Sequence, residues 1–443
     1  MSAVILTALQ SSGLAEPGYW TTLWKMIFPS DRIGALAQLQ DFTPKSTRYS
    51  WQRNAVTHGH AGVSRLSPAI RHRLISEDEA VANVLAVHPL TKVEKFIQEI
   101  YWRRYWKGWL SLRPAVWTNY LTAFHRLDSH EILARAEDSN LGNLVINHFA
   151  RELVETGYLH NHARMWFAAW WIHEARLPWE IGAAFFYRHL LDGDPASNTL
   201  SWRWVAGLQT PGKTYLARRS NLEKYLSPEL LEELHGGLAA FENPTAYLPE
   251  YIPTNAITQR ILENHPSDPT LATGLWIHEE DLTPETSPLG KQAFKSILTT
   301  GHAAAWADFA FPVRKKAWLE AGLADAALRA GQAWSVPPRF EIAAHLSASL
   351  SQWAQQQGLS QIVTLRPDIG PLADEIPSLI SHLKSAGIRL ALVDRPRDLE
   401  LRLLAGSGFF KFWETMGKKN LIPGNPSRPP MNEQTLPRQL PLI

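Results

Sequence analysis

Apolar residues recur at helical spacing through the first half of the chain. In KVEKFIQEIYWRRYWKGWL, one predicted face carries Val93, Phe96, Ile97, Ile100 and Tyr101. A second stripe consists of Leu144, Val145, Phe149 and Leu153. Ser76 and Glu79 have the spacing of a capping box at the start of a further helix. The pattern therefore predicts mostly helical structure from residue 30 to 235, in a domain that we place at residues 30–239.

The pattern changes after the proline-rich segment ENPTAYLPEYIPTN, which lacks periodicity and predicts a linker over residues 240–268. Beyond it, the short apolar runs LWIHEEDL, QIVTLRP and RLALVD are typical of buried strands. SLSQWAQQQG and PSLISHLKSAG predict helices that end at Gly358 and Gly387. This alternation indicates a smaller α/β domain with a parallel sheet at residues 269–417. Residues 1–29 are expected to form an N-terminal extension, and residues 418–443 a disordered proline-rich tail.

Composition excludes several kinds of chemistry. No cysteine occurs among the 443 residues, so disulfides, thiolate metal sites and cysteine nucleophiles are ruled out. Neither a signal segment nor an apolar run of membrane-spanning length is evident, so we expect a soluble cytoplasmic protein with no membrane partner. The net charge of +2 indicates no general affinity for nucleic acid. The 19 tryptophans exceed ordinary usage about threefold, which suggests stacking or electron transfer for some of them.

The segment GLQTPGKT, residues 207–214, fits the phosphate-loop pattern G-x-x-x-x-G-K-[ST]. A working phosphate loop follows a buried strand and opens a helix at its lysine. The upstream sequence SNTLSWRWVA is a poor strand and the downstream YLARRSN is a weak helix start. Asp394, a possible acidic partner, lies far along the chain. We therefore favour a loop at the rim of a pocket, with Lys213 at that rim, over an NTPase.

Four motifs carry a more specific signal. SRLSP, EIYWR, TGYLHNHARM and DGDPASNTLSWRW occur in this order and together resemble the FAD-binding helical domain of the photolyase and cryptochrome family. The resemblance spans roughly residues 45–225. It implies a mainly α, FAD-binding domain of photolyase/cryptochrome type, followed by the smaller α/β Rossmann-like domain. It also implies FAD contacts from Tyr49, Val63, Ser64, Arg65, Leu66, Ser67, Arg103, Asn161, Arg164, Asp192, Asp194 and Asn198.

Some of these residues also have ordinary structural explanations. Arg164 and Asp192 resemble the pair that locks a bent FAD, yet buried acid–base pairs are often structural staples. Asn198 resembles the residue that faces flavin N5, although a turn residue is the simpler explanation without the family. His160 and His162 could suggest a metal site, but alternate residues on a helix point apart, so no metal is expected.

The resemblance also implies a path for electrons and a pocket for a DNA lesion. Trp202 and Trp179 match the first two members of the family's electron-transfer chain, and Trp117 is expected to be its exposed end. With Asn198 and Glu99 these form the expected catalytic set. Glu99, Trp102, Asn161, Met165 and Trp204 match residues that line the pocket for a flipped-out cyclobutane pyrimidine dimer. His162 stands where many members have arginine, and we expect it in the polar pocket wall.

The order of domains differs from the family's usual one, in which an α/β antenna domain comes first. LWIHEEDLTPE resembles the opening strand of that antenna domain, and GSGFFKFW at residues 406–413 resembles a loop near its end. We therefore expect an antenna-like domain placed after the helical one. Glu279 and Glu280 replace the family's arginines, which leaves the antenna chromophore and the domain contact open.

The resemblance implies a light-driven enzyme that repairs UV-damaged DNA by electron transfer from excited reduced FAD. We expect a monomer whose phosphate contacts come from groups such as Arg103, Arg104, Lys107 or Arg218. The alternative is a blue-light photoreceptor or redox sensor of cryptochrome type, which needs FAD and the tryptophans but no lesion pocket.

Overall fold

The computed structural model describes residues 28–210, 213–249, 257 and 266–423. The first part of it is helical, as the periodicity predicts. Its helices are α1 (Arg32–Phe42), α2 (Tyr49–Gln52), α3 (Ser67–Arg71), α4 (Glu77–Leu85), α5 (Leu90–Ser111), α6 (Pro114–Arg126), α7 (His130–Glu137), α8 (Leu144–Thr156), α9 (Asn161–Ala169), α10 (Trp179–His189), α11 (Pro195–Val205), α12 (Arg219–Tyr225) and α13 (Pro228–Leu234). Turns of 3₁₀ helix span Thr43–Arg48, His58–His60 and His235–Phe241, and a π turn spans Trp170–Glu174.

The helix signals in the sequence have their expected effects. Ser76 and Glu79 form a capping box at the start of α4, with both reciprocal hydrogen bonds present. The predicted stripe of α5 is buried throughout. In α8, Val145, Phe149 and Leu153 are buried, but Leu144 is 49% exposed because it is the first residue of the helix. The prediction was therefore wrong for Leu144 alone.

The second part is a five-stranded parallel sheet in the order β3-β2-β1-β4-β5. Its strands are β1 (Thr273–His278), β2 (Ser296–His302), β3 (Pro338–Ala343), β4 (Gln361–Leu365) and β5 (Arg389–Val393). The helices here are α14 (Ala303–Asp308), α15 (Val313–Trp334), α16 (Leu346–Gln357), α17 (Pro371–Ser385), α18 (Pro396–Leu404) and α19 (Phe409–Lys418), with 3₁₀ turns at Pro284–Thr286 and Pro288–Lys291. The α/β prediction is confirmed. Gly358 and Gly387 follow α16 and α17 with φ of +57° and +74°, which suits glycine at a helix end.

The two parts meet through buried ion pairs. Arg104 and Lys107 of α5 were expected to contact DNA, but both are buried. Arg104 pairs with Asp368 of the second part at 3.0 Å, and Lys107 lies 3.4 Å from Asp194. Glu280 forms a two-pronged pair with Arg71, with both contacts at 2.7 Å. The described contact between the two parts therefore includes several pairs of second-part acids with first-part arginines.

The segment around the phosphate-loop pattern has the wrong architecture for a nucleotide site. Helix α11, not a strand, precedes Gly207, and α12 begins at Arg219 rather than at Lys213. Gly207 has φ of +79°, and a side chain there would collide with Thr214. The NTPase interpretation is therefore wrong. Residues 211 and 212 lie outside the described residues.

Several predicted segments fall largely outside the described residues: the extension up to residue 27, the linker at 250–256 and 258–265, and the tail from residue 424. Leu421 and Ile422 are buried, so the packed chain continues past the predicted start of the tail at residue 418. Within the described ranges, no helix has both the length and the apolar composition needed to cross a membrane.

Candidate functional site

A cavity of about 950 Å³ opens between the helices of the first part and a loop of the second. Its volume is in the range that accommodates cofactors. The motif residues enter it from α2, the segment before α3, α5, α9 and α11. The cavity brings together all the predicted FAD and lesion residues: Tyr49, Val63, Ser64, Arg65, Leu66, Ser67, Glu99, Trp102, Arg103, Asn161, Arg164, Met165, Asp192, Asp194, Asn198, Trp202 and Trp204. Trp117 and Trp179 do not line it.

Asp192 and Arg164 form the predicted pair on one wall of the cavity. Arg164 Nη2 lies 2.8 Å from Asp192 Oδ2, and Arg164 Nε donates to the carbonyl of Leu159 at 2.7 Å. Burial opposes ionisation of Asp192, but the charge and hydrogen bond of Arg164 outweigh it and lower the pKa of the carboxyl. The guanidinium is therefore fixed at the cavity wall by two acceptors.

The side chain of Asp194 is held by a helix-capping hydrogen bond and by two cations. It is the N-cap of α11, and its Oδ1 accepts from the backbone N–H of Ser197 at 2.7 Å. Its Oδ2 lies 3.4 Å from Lys107 and 3.5 Å from Arg71. Burial opposes its ionisation, but Lys107 and Arg71 outweigh that and lower the pKa of Asp194. Asp194 thus stays an anion beside the cavity.

The cavity wall also carries polar atoms that no described residue satisfies. Arg65 Nε, Arg103 Nη1 and Ser197 Oγ are buried without a hydrogen-bond partner among the residues that the structure describes. Buried polar groups are nearly always paired, so such a cluster marks the place of a polar ligand. Two cationic donors and a hydroxyl suit the diphosphate and hydroxyl groups of a dinucleotide such as FAD. The residues present therefore fit that cofactor.

Asn198 has a fixed side chain. Its Nδ2 donates to the carbonyl of Ala183 in α10 at 2.8 Å, and the residue remains half-buried at the cavity. Since that bond orients the amide, Asn198 is more than a turn residue: it sits within α11 and presents a positioned polar group.

On the predicted lesion side, Glu99 is already paired. Its Oε1 lies 2.7 Å from Arg53 and 3.2 Å from Lys95. Trp204 stacks on Tyr215, with ring centroids 5.5 Å apart, and the amide of Asn161 lies 4.0 Å from the sulfur of Met165. These four side chains line one cavity with different chemistry: a carboxylate, an amide, a thioether and an indole.

Trp102 has a partner that the sequence did not indicate. Phe409, from the second part of the chain, lies on the indole with centroids 3.8 Å apart and planes 10° from parallel. Glycines 406 and 408 flank the loop that brings it there, and this loop lines the cavity. Trp106, Trp109, Arg53 and Tyr158 also line the cavity without having been predicted. The EIYWRRYWKGW run placed two of these indoles near Trp102, but Phe409 is more than 300 residues away in sequence.

The expected end of the predicted tryptophan chain, Trp117, is buried rather than exposed. Trp202 packs on Gly182 of α10, where an added Cβ would lie 2.3 Å from the indole. Trp179 begins α10, and its ring centroid lies 5.5 Å from that of Tyr120. Tyr120 lies 5.4 Å from Trp117. Trp117 is only 2% exposed, so the expectation of an exposed end was wrong: the second part of the chain covers it.

His162 was expected in the pocket wall and is not there. It is buried beside the cavity, with its ring nitrogens 3.0 Å from the carbonyl of Asn54 and 3.1 Å from Asn221 Oδ1, and it stacks on Trp166. Burial lowers the pKa of His162. His162 is thus a buried structural link between the segment at Asn54 and α12, and a neutral ring donates to only one of its two oxygen neighbours at a time.

Much of the chain that lines this cavity is similar to a known domain. Residues 96–253 match the FAD-binding domain of DNA photolyase. This part of the chain is therefore similar to an FAD-binding domain of photolyase type. FAD is thus the cofactor of the photolyase-type domain, in agreement with the unsatisfied polar atoms in the cavity.

The curated relatives are bacterial. The chain is 28% identical over 197 residues to the deoxyribodipyrimidine photo-lyase of a Synechococcus strain, a match that covers 41% of this chain and 40% of the relative. It is 34% identical over 149 residues to that of Streptomyces griseus, covering 33% and 32%, and 26% identical over 229 residues to that of Escherichia coli, covering 47% of each. The chain spans less than half the length of these relatives.

Among solved structures, a class III photolyase from Agrobacterium tumefaciens aligns with a TM-score of 0.41 at 23% identity, over 52% of this chain and 49% of that one. A cryptochrome from Synechocystis aligns with a TM-score of 0.41 at 21% identity, over 47% and 45%.

Proposed function

We propose that this chain splits cyclobutane pyrimidine dimers in UV-damaged DNA, in a light-driven reaction that depends on reduced FAD. The observation that supports this most directly is that one cavity is lined by two sets of residues. One set consists of the residues expected to contact FAD, and the other is Glu99, Trp102, Asn161, Met165 and Trp204. The deoxyribodipyrimidine photo-lyases among the curated relatives support the same reaction class.

A bound reduced FAD would supply the photoexcited electron that opens the dimer ring. The task of the protein is to bind and orient. Arg65, Arg103 and Ser197 have free hydrogen-bonding capacity for the diphosphate and hydroxyl groups. Arg164, held by Asp192, fixes a positive charge at the wall. Asn198, held by Ala183, presents its amide to the flavin side of the cavity.

On the lesion side, Trp204 offers an aromatic face to an unstacked pyrimidine, and Glu99 and Asn161 offer polar groups to the base edges. Arg53 and Lys95 balance the charge of Glu99 until a base edge replaces one of them. Of the basic residues expected to contact DNA phosphates, Arg103 lines the cavity and Arg218 is exposed, while Arg104 and Lys107 are engaged in the interior. We propose that Arg218 retains that role, whereas Arg103 serves the cofactor.

The test is repair by the full chain under blue light. Purified protein with chemically reduced flavin is illuminated with a dimer-containing oligonucleotide, and restored thymines are measured. Trp204→Ala should weaken binding of the damaged strand by about 1–3 kcal/mol, a loss typical of one base–aromatic stack. Trp51→Ala, an exposed indole outside the cavity, is the matched control. A flavin-loaded protein that repairs nothing would refute the proposal.

A photoreceptor or redox sensor of cryptochrome type is the second candidate, and one observation favours it. Phe409 covers a face of Trp102, so the lesion side is partly occupied by the chain itself. A sensor needs FAD and the aromatic path but no open lesion pocket. Flavin photoreduction without dimer binding would support this alternative.

A further inference from the structure

The indole of Trp117 is buried, but its N–H donates to a side chain that reaches the surface. Trp117 lies on α6 of the helical part and is 2% exposed. Its Nε1 donates to Oδ2 of Asp374 at 2.7 Å. Asp374 lies in the first turn of α17 in the second part of the chain, and it is exposed to solvent. A carboxylate in the first turn of a helix is stabilised as an anion.

Aromatic rings in contact lead from Trp117 through Tyr120 to Trp179, which lies on the same helix that Trp202 packs against from the cavity. Trp202 lines the cavity and packs on α10, whose first residue is Trp179. Tyr120 then stands between Trp179 and Trp117, with ring centroids 5.5 Å and 5.4 Å away. Such contacts suit the movement of an electron toward the cavity, which moves the electron hole (the oxidised site) toward Trp117.

Tyr120 is poorly suited to hold the electron hole as a lasting radical. Oxidation makes a phenol or indole strongly acidic, so a lasting radical needs a proton acceptor. The hydroxyl of Tyr120 is buried and has no hydrogen-bond partner among the described residues. Burial raises the pKa of Tyr120 well above its ordinary value, in keeping with this lack of an acceptor. Trp117, by contrast, already donates its N–H to a carboxylate.

We propose that Trp117 and Asp374 form the proton-coupled end of this electron path. Trp117 gives one electron to oxidised Trp179, and the oxidant that started the series is a photoexcited oxidised flavin in the cavity. The Nε1–H bond of Trp117 breaks, and its proton passes to Oδ2 of Asp374. The products are a neutral Trp117 radical and a neutral carboxylic acid, which releases the proton to water. This inference rests on the proposed flavin and aromatic path, but not on DNA repair.

The pair explains how the path can end inside the protein. A buried radical cation would be costly, because an isolated charge in the interior loses its hydration. Transfer of the proton to an exposed carboxylate removes that charge while the indole stays buried. The second part of the chain supplies the acceptor, and so it contributes directly to the photochemistry of the first.

The experiment is transient absorption on the flavin-loaded full chain after a laser flash, in H₂O and in D₂O. The protonated and deprotonated tryptophan radicals differ in visible absorption and can be followed separately. In the unaltered protein we expect deprotonation that is slowed at least about twofold in D₂O, followed by a long-lived neutral radical. Trp117→Phe should abolish that long-lived radical.

Asp374→Asn tests the acceptor, because its amide oxygen can still accept the indole N–H but is not a base. We expect the protonated radical to persist and then recombine, with the yield of neutral radical reduced at least fivefold. Asp374→Glu should restore that yield in part. Glu375→Gln, on the same helix and paired instead with His302, is the control and should change nothing.

Two outcomes would overturn the proposal: an unchanged neutral radical in Asp374→Asn, or no solvent isotope effect in the unaltered protein. The second needs no variant, so it applies even if a substitution prevents folding. Repair of dimers by chemically reduced protein is measured separately. Its failure with intact radical kinetics would count against the proposed function alone.

Discussion

The ring of Phe409 lies flat on the indole of Trp102, 3.8 Å away between centroids. One residue belongs to the α/β part of the chain and the other to the photolyase-type domain, so the two parts share the wall of one cavity. Phe409 is 3% exposed, whereas its neighbour Phe410 is 71% exposed. A base that stacks on this face of Trp102 must first displace Phe409.

Replacement of Phe409 by alanine should open the lesion side. A stacked aromatic pair contributes about 0.5–1.5 kcal/mol beyond the burial of its area. We therefore expect Phe409→Ala to bind a dimer-containing oligonucleotide roughly 2- to 10-fold more tightly, and to lose about 3–5 kcal/mol of unfolding free energy through the lost burial. Fluorescence anisotropy and denaturant unfolding measure the two effects.

Phe410→Ala provides the matched control, because this exposed ring should leave the stability within about 0.5 kcal/mol of the unaltered protein. Weaker binding of the damaged strand by Phe409→Ala would mean that Phe409 itself contacts the lesion, contrary to this prediction.

Loss of the Asp192 charge should release the cofactor. Asp192→Asn leaves Arg164 beside the cavity without its ion-pair partner, and removal of one member of a buried pair costs about 3–5 kcal/mol. We expect purified Asp192→Asn to contain less than a tenth of the normal flavin, measured by absorbance after denaturation. Asp41→Asn, an exposed acid paired with Lys45, should retain its full flavin content. A normal flavin content in Asp192→Asn would show that the Arg164–Asp192 pair has only a structural role.

Local sequence predicted several of the helices, three strands and part of the cavity lining. Short-range patterns determine these features: the apolar stripe of α5 lies within a single helix, and each motif spans a few adjacent residues. Strand β2 was missed because SILTTGH mixes threonines with apolar residues, although every one of its residues is buried. Strand β3 was missed because its edge position leaves it half-exposed.

The remaining errors share a physical cause, since they depend on contacts between distant parts of the chain. Arg104 and Lys107 were expected to contact DNA, yet both are buried, which is costly for a cation. Asp368, more than 250 residues later, offsets that cost. Likewise nothing near Trp117 in the sequence indicates that Asp374 will cover it. Periodicity locates a helix face but does not reveal what packs on it.

The contact between the two parts should weaken in acid. Burial opposes ionisation of Asp281, but Arg395 and Arg73 outweigh it and hold the pKa of this carboxyl below its ordinary value. A depressed folded-state pKa gives stability that is complete above the unfolded value, near 4, and is lost as the pH falls toward the folded value. We expect the unfolding free energy to fall steadily from pH 5 to pH 2. Denaturant titrations at several pH values measure it.

Asp281→Asn isolates this contribution. The variant should be less stable than the unaltered protein at pH 7 by about 3–5 kcal/mol, because Arg73 and Arg395 lose a shared acceptor. Its stability should also depend less on pH between 5 and 2. An identical pH dependence in both proteins would show that Asp281 does not contribute to the acid sensitivity.

Arg218 should contribute to DNA binding without any preference for sequence. It is exposed, whereas Arg104 is enclosed by Asp368 and Asp398. Each phosphate contact on a duplex contributes about 0.9 to the slope of log affinity against log salt. We expect Arg218→Ala to lower that slope by about one and to weaken damaged and undamaged duplexes equally, while the ratio of their affinities stays constant. Lys45→Ala, an exposed cation paired with Asp41 outside the cavity wall, is the control. If the slope does not change, Arg218 contacts no phosphate and the DNA path must follow another edge of the cavity.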